Sequence, residues 1–156
     1  IRRRVLEALL VSSSASRKFL PSLLPIEDGW YSSNFGWRID PFSGQKSFHE
    51  GIDFPAEAGT AVVAAASGKV IYADVHPAYG KMVEVDHGNG FSTRYGHLSE
   101  ILVKPGQAVR IGQIVGRVGS TGRSTGPHLH YETRIDGEAV DPQKFLRAGL
   151  RLGNAL

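Results

Sequence analysis

Apolar and polar positions alternate along this chain in short runs punctuated by glycine, and no long stretch carries a helical period. The pattern predicts β-strands over 83–86, 91–98 and 128–135, each rich in β-branched or aromatic residues. The first two are joined by "HGNGF", where Asn89-Gly90 offers the positive φ angles of a two-residue hairpin turn. "RIDGEAV" repeats that signal at Asp136-Gly137, so the strands flanking each turn are expected to pair antiparallel. Segments 59–70 and 106–118 are alike: each opens on Gly-x-Ala-Val and runs into a second strand, which predicts a pseudo-repeat within one β domain. Helix is expected only at the ends. Asp141 as N-cap with Pro142 in the first helical position predicts a short helix to about Arg147, stopping at Gly149.

Upstream, "SSSASRK" followed by Pro21 and Pro25 reads as a linker. It divides the 156 residues into an arm over 1–25, one domain over 26–148 and a tail over 149–156. The fold class expected is mainly β: an antiparallel sheet or sandwich with a short N-terminal helical arm and a short C-terminal helix. The arm opens on Ile1 rather than Met, as in a processed or truncated chain, and has the basic, then apolar, then small-residue order of a secretion signal. Glu7 interrupts that apolar run, so an amphipathic helix and polar linker is the plainer expectation.

Charge refines this picture. The net +3 is concentrated in residues 1–18, which hold five basic groups against Glu7 and leave 13 basic and 14 acidic groups elsewhere. A near-neutral body argues against a nucleic-acid partner, which calls for a basic patch on the folded part. The basic arm is a candidate contact for anionic cell-wall polymer or lipid head groups, and a membrane tether or envelope partner is expected to act through a region preceding Ile1; a monomer is the default. No apolar run approaches the roughly 20 residues of a membrane-spanning helix. Cysteine is absent, so any metal must be held by nitrogen and oxygen.

Two stretches carry candidate chemistry. In "GPHLHYE", alternation puts His128, His130 and Glu132 on one face and Leu129, Tyr131 and Thr133 on the other. In "HEGIDFP", His49 and Asp53 are four apart, but Gly51, Ile52 and Phe54-Pro55 disfavour a helix. A straight strand would separate them by roughly 13 Å. Joint ligation of one ion therefore needs a bend, which Gly51 can supply. Glu50 is then expected to point away, which removes it as a general base.

"SSNFGWRIDP", "HEGIDF", "STRYGHLS" and "STGPHLHYE", in that order and spacing, resemble the lysostaphin-type (β-lytic) zinc metalloendopeptidases that cut peptidoglycan. The likeness covers about residues 26–146. It implies an antiparallel β fold with a metal on the floor of a groove, and one Zn2+ per chain as cofactor. It implies His49, Asp53 and His130 as metal ligands, and His97 and His128 as catalytic histidines. Two imidazoles and a carboxylate leave one position open, the arrangement of a catalytic zinc site. Tyr95, two residues from His97, is a candidate substrate-binding residue on the groove wall. Glu132 is a candidate partner for a ligand imidazole N–H.

The resemblance implies a bacterial periplasmic or extracellular endopeptidase. Its partner would be a peptidoglycan peptide and its target most closely the D-alanyl–diaminopimelate bond, with a glycyl-glycine bond as the alternative. A non-catalytic activator of cell-wall amidases and a biotinyl- or lipoyl-type carrier modified at Lys81 are the other classes. Gly80 in place of the usual Met before Lys81 weighs against the carrier, as do the unexplained histidines. His76 and His87 read as structural or exposed, Arg38 and Asp40 as a local pair, and Trp30, Tyr31 and Trp37 as a binding wall or core.

Overall fold

A computed structural model of the protein describes residues 18–27 and 32–146. The predicted arm helix, Trp30, Tyr31 and the C-terminal tail lie outside the described residues. The strands, in order, are β1 (Gly36–Ile39), β2 (Lys46–His49), β3 (Ile52–Pro55), β4 (Ala61–Val63), β5 (Gly68–His76) and β6 (Gly80–Gly88). They continue with β7 (Phe91–Ile101), β8 (Ala108–Val109), β9 (Ile114–Val118), β10 (His128–Ile135) and β11 (Glu138–Val140). Nine form one antiparallel sheet with the path β11-β10-β7-β6-β5-β8, on which β3 also pairs with β10, and β9 with β4 and β7. β1 and β2 make a separate hairpin.

Both sequence-marked turns form as two-residue hairpins. Asn89 and Gly90 have φ of 53° and 83°, and Asp136 and Gly137 of 52° and 82°. These are the left-handed angles that match the twist of the flanking strands. The pseudo-repeat is real in a specific sense. The first strand of each segment pairs with the second strand of the other, β4 with β9 and β5 with β8. Each segment's leading glycine, Gly59 or Gly106, turns at φ near 90°, at 95° and 90° respectively.

The apolar faces of β3, β6, β7 and β10 meet in one core. Ile52, Phe54, Val83, Val85, Leu129 and Tyr131 are fully buried there, each large side chain stabilising the fold by about 1.5–3 kcal/mol. A smaller cluster of Phe91, Ile135, Val140 and Phe145 seals the β10–β11 end. There Asp141 caps a helical turn over 143–146, its Oδ1 accepting from the Gln143 N–H at 3.0 Å. The rest of that predicted helix lies outside the described residues. Lys81 lies within β6, half-buried, and its Nζ donates to the Ser99 carbonyl at 3.0 Å. This is a packed strand position, unlike the exposed attachment site a carrier needs.

Candidate metal centre

β10 positions the site. Its apolar residues anchor it in the core, so His128, His130 and Glu132 must emerge on the opposite face, as alternation requires. His130 is directly opposite Asp53 of β3 in the antiparallel register. His49 ends β2, and the chain crosses from the small hairpin to the large sheet through Glu50-Gly51 before Asp53. That crossing brings together two side chains that a straight strand would hold apart. Gly51 is required here by proximity rather than by an unusual φ: a Cβ at this position would run into the Tyr131 carbonyl oxygen of β10.

The three donor atoms form a tight triangle. His130 Nδ1 is 3.0 Å from Asp53 Oδ1, His49 Nε2 is 3.3 Å from the same oxygen, and the two nitrogens are 3.3 Å apart. Donors bound at 2.0–2.2 Å to a tetrahedral ion stand about 3.3–3.5 Å apart. Side chains already in place therefore fit a small divalent cation, and all three residues are buried.

A hydrogen bond at the second ring nitrogen orients every histidine in the site. His49 Nδ1 faces the Asn34 carbonyl at 2.8 Å, which leaves Nε2 for the centre. His130 Nε2 faces Glu132 Oε2 at 2.7 Å, leaving Nδ1. His97 Nδ1 lies 2.7 Å from the Thr121 carbonyl, and His128 Nδ1 lies 2.8 Å from that of Gly126. Each of these outward-facing nitrogens carries a proton, which leaves its partner nitrogen to offer a lone pair to a bound cation or to the groove. With no cation, His130 Nδ1 also bonds Asp53 Oδ1 at 3.0 Å, and although burial opposes its charge, Asp53 and Glu132 push the His130 pKa up to about 9. The His97 and His128 rings are 4.8 Å apart, and His128 Nε2 lies 3.7 Å from Asp53 Oδ1.

Charge follows burial and pairing. Burial opposes ionisation of Asp53, but hydrogen bonds from His130 and His49 outweigh it and hold the carboxyl well below its usual range. Burial likewise disfavours the Glu132 carboxylate, yet His130, Tyr79 and Arg134 bring it down to about 2. Burial, with help from the His128 and His130 rings, holds His97 down at about 4 despite the Thr121 carbonyl, so this imidazole is neutral at physiological pH. Burial and the adjacent Glu132 push the Tyr79 phenol up to about 12.

Tyr95 requires correction. It is fully buried; its hydroxyl accepts from the Ala65 N–H at 2.9 Å and bonds Thr93, and its ring packs 5.5 Å from Tyr131. Alternation from His97 failed because β7 bulges between them. The partners step from Val83↔Tyr95 to Lys81↔Leu98, and His97 adopts φ 60°. One extra residue there turns His97 to the groove while Tyr95 stays in the core.

The pairing of Arg38 with Asp40 also gives way. Arg38 Nη1 reaches Asp53 Oδ2 at 3.3 Å, and Asp40 instead pairs with Arg123 at 3.2 Å. Glu50 pairs with Arg134 at 3.2 Å, at the rim. His87 is a buried structural histidine bridging Ser67 and Thr93 at 2.8 Å each. Trp37 is 66% exposed and packs edge-on against Phe48. Tyr79, which sequence reasoning passed over, donates to Glu132 Oε2 at 2.6 Å, with its ring 5.6 Å from that of His130. Nothing local in "HPAYGK" signals that contact across 53 residues.

A family model described as Peptidase family M23 matches residues 47–142, which include His49, Asp53, His97, His128 and His130. The chain belongs to this family. As a member of family M23, it is 48% identical over 111 residues to DD-carboxypeptidase/endopeptidase Mpg of Neisseria meningitidis serogroup B, covering 71% of this chain and 26% of that protein. Peptidoglycan DD-endopeptidase ShyA of Vibrio cholerae is 45% identical over 122 residues, covering 77% of this chain and 28% of its own. The chain thus spans about a quarter of these relatives' length.

Among solved structures, a zinc-containing peptidase from Vibrio cholerae superposes with a TM-score of 0.71 at 39% identity, over 76% of this chain and 37% of that one. The catalytic domain of lysostaphin from Staphylococcus simulans gives 0.71 at 34%, over 78% and 94%.

Proposed function

We propose that this chain is the catalytic domain of a zinc-dependent endopeptidase of the bacterial cell envelope. It cleaves peptide cross-links of peptidoglycan at the D-alanyl–diaminopimelate bond. The observation that carries this reading is the triangle of His49 Nε2, Asp53 Oδ1 and His130 Nδ1, with sides of 3.0–3.3 Å. The choice of bond follows curated relatives whose names specify DD-endopeptidase activity. The complete donor set favours an enzyme over a non-catalytic activator.

A zinc ion held by these three donors supplies a Lewis acid for the amide carbonyl and acidifies water to a pKa of about 7. The chain's own residues do the rest. His49 and His130 stay aligned, each with its ligand nitrogen turned to the centre, because Asn34 and Glu132 hold their outer N–H groups. His97, uncharged and with Nδ1 committed to Thr121, keeps Nε2 free to accept a proton from the attacking water. His128, with Nδ1 held by Gly126, presents Nε2 to the same space, where it orients the attacking water and, once it has taken up a proton, donates to the charge developing on the carbonyl oxygen. Transfer of the accepted proton to the leaving amine completes hydrolysis.

Incubating the zinc-loaded chain with purified cross-linked muropeptides, with and without a chelator, tests the proposal. Mass spectrometry should show dimers converted to monomers at the D-alanyl amide, and chelation should abolish this. A zinc-loaded chain that leaves the dimers intact would refute it.

A further inference from the structure

Two cavities adjoin the donor triangle and share Asp53, and the same two cations, Arg38 and Arg123, line both. They differ in charge. The smaller, about 200 Å³, is also lined by Glu50, Glu132 and Asp53. The larger, about 520 Å³, has Asp53 as its sole carboxylate among the described lining residues, and that carboxylate already serves the donor triangle and Arg38, while Asp40 pairs with Arg123. With a divalent cation in place, two arginines and the cation outweigh Asp53 and Asp40, so the described lining of the larger arm is net positive beside the reacting centre.

Both guanidinium groups are held in place with donors to spare. Arg38 commits Nη1 to Asp53 Oδ2, one carboxylate's width from the metal position. Arg123 commits Nη2 to Asp40, stacks 4.7 Å above the Phe42 ring, and has its backbone N–H tied to the Ala78 carbonyl at 3.0 Å. A guanidinium carries five N–H donors in a planar fork that matches a carboxylate. Their side chains are 37% and 54% exposed, so the remaining donors are open to a ligand.

We propose that Arg38 and Arg123 read a free carboxylate on the leaving side of the scissile amide, seated in the larger arm of the groove. This rests on the endopeptidase reading above and deepens it. In a D-alanyl cross-link to diaminopimelate, and in a terminal D-alanyl-D-alanine, the carbon bearing the scissile nitrogen also bears a carboxylate. Its carbon lies about 2.5 Å beyond that nitrogen. A substrate amide poised at the donor triangle thus delivers a carboxylate to the space that Arg38 borders. A glycyl-glycine bridge interior has no such group, so the pair selects for the D-alanyl class. Arg38 and Arg123 are specificity residues here, distinct from the groups that move protons.

The test compares kcat/KM of the zinc-loaded chain on two muropeptide dimers. They are identical except that the carboxylate beside the scissile amide is free in one and a primary amide in the other. A charge-assisted, bidentate contact predicts a preference for the free carboxylate on the order of ten- to a hundredfold. In Arg123→Gln that ratio should fall to about two or less, on the same grounds. Arg38→Gln should do the same, with zinc content measured in parallel because Arg38 touches a metal donor. Arg123 touches none, so its variant decides the matter if Arg38→Gln loses zinc. Equal cleavage of both dimers by the unmodified chain, or a preference that survives in zinc-replete Arg123→Gln, overturns the inference while leaving the endopeptidase reading intact. Cleavage of neither dimer overturns both.

Discussion

Replacing Glu132 by glutamine tests whether a buried carboxylate sets the metal affinity. Glu132 is 1% exposed and accepts three hydrogen bonds, from His130 Nε2 at 2.7 Å, Tyr79 Oη at 2.6 Å and Arg134 Nε at 2.8 Å. A glutamine has no arrangement that satisfies them. With its NH2 toward Arg134, two donors collide. With its NH2 toward His130, the imidazole must reverse its tautomer and place a proton on Nδ1, the nitrogen needed for the metal. Loss of such an outer partner lowers metal affinity by about 10–100-fold.

The native carboxyl is displaced from its ordinary 4.5 to about 2, which corresponds to about 3 kcal/mol of interaction in the folded state. Because the folded pKa is depressed, that stability is present above pH 4.5 and is lost as pH falls toward 2. Titration against a competing chelator of known zinc affinity should show the weakening, and thermal unfolding of the chelator-treated protein should show a lowered Tm at neutral pH. Zinc affinity within about twofold of the unmodified chain, well inside the expected loss, would refute the reasoning.

His97→Ala and His128→Ala should each retain zinc but lower kcat by about 10²–10⁴-fold; loss of metal from His128→Ala would mean that it, rather than His130, supplies the third donor. Burial holds the His87 pKa down in the fold, so its neutral form is the native one. Stability should therefore be full above pH 6.5 and fall as the medium becomes more acid. A His87→Gln variant followed by urea denaturation between pH 7 and 5 should show a shallower slope; an unchanged slope would assign the loss to other groups.

The strands and hairpins were legible because their signals are local. Asn89-Gly90 and Asp136-Gly137 dictate turn geometry by themselves, and the alternation in "HLHYE" separates core from groove without further context. The convergence of His49 and Asp53 was legible only as a requirement for a bend, since the crossing between β2 and β3 depends on how two sheets meet. Tyr95 shows the limit of counting by twos: a single bulge residue inverts the face of everything beyond it. Arg38, Tyr79 and Arg123 were not legible as site residues because their contacts span 15, 53 and 83 residues. Nothing adjacent to any of them in sequence encodes those contacts.

Zinc K-edge X-ray absorption on the metal-loaded chain, with metal content measured on the same sample, addresses the central claim most directly. The account predicts one zinc per chain with a nitrogen and oxygen shell at about 2.0–2.2 Å and scattering from two imidazoles, all lost in Asp53→Ala and in His130→Ala. A chain that binds no zinc under saturating metal, or binds it equally well without those side chains, would contradict it.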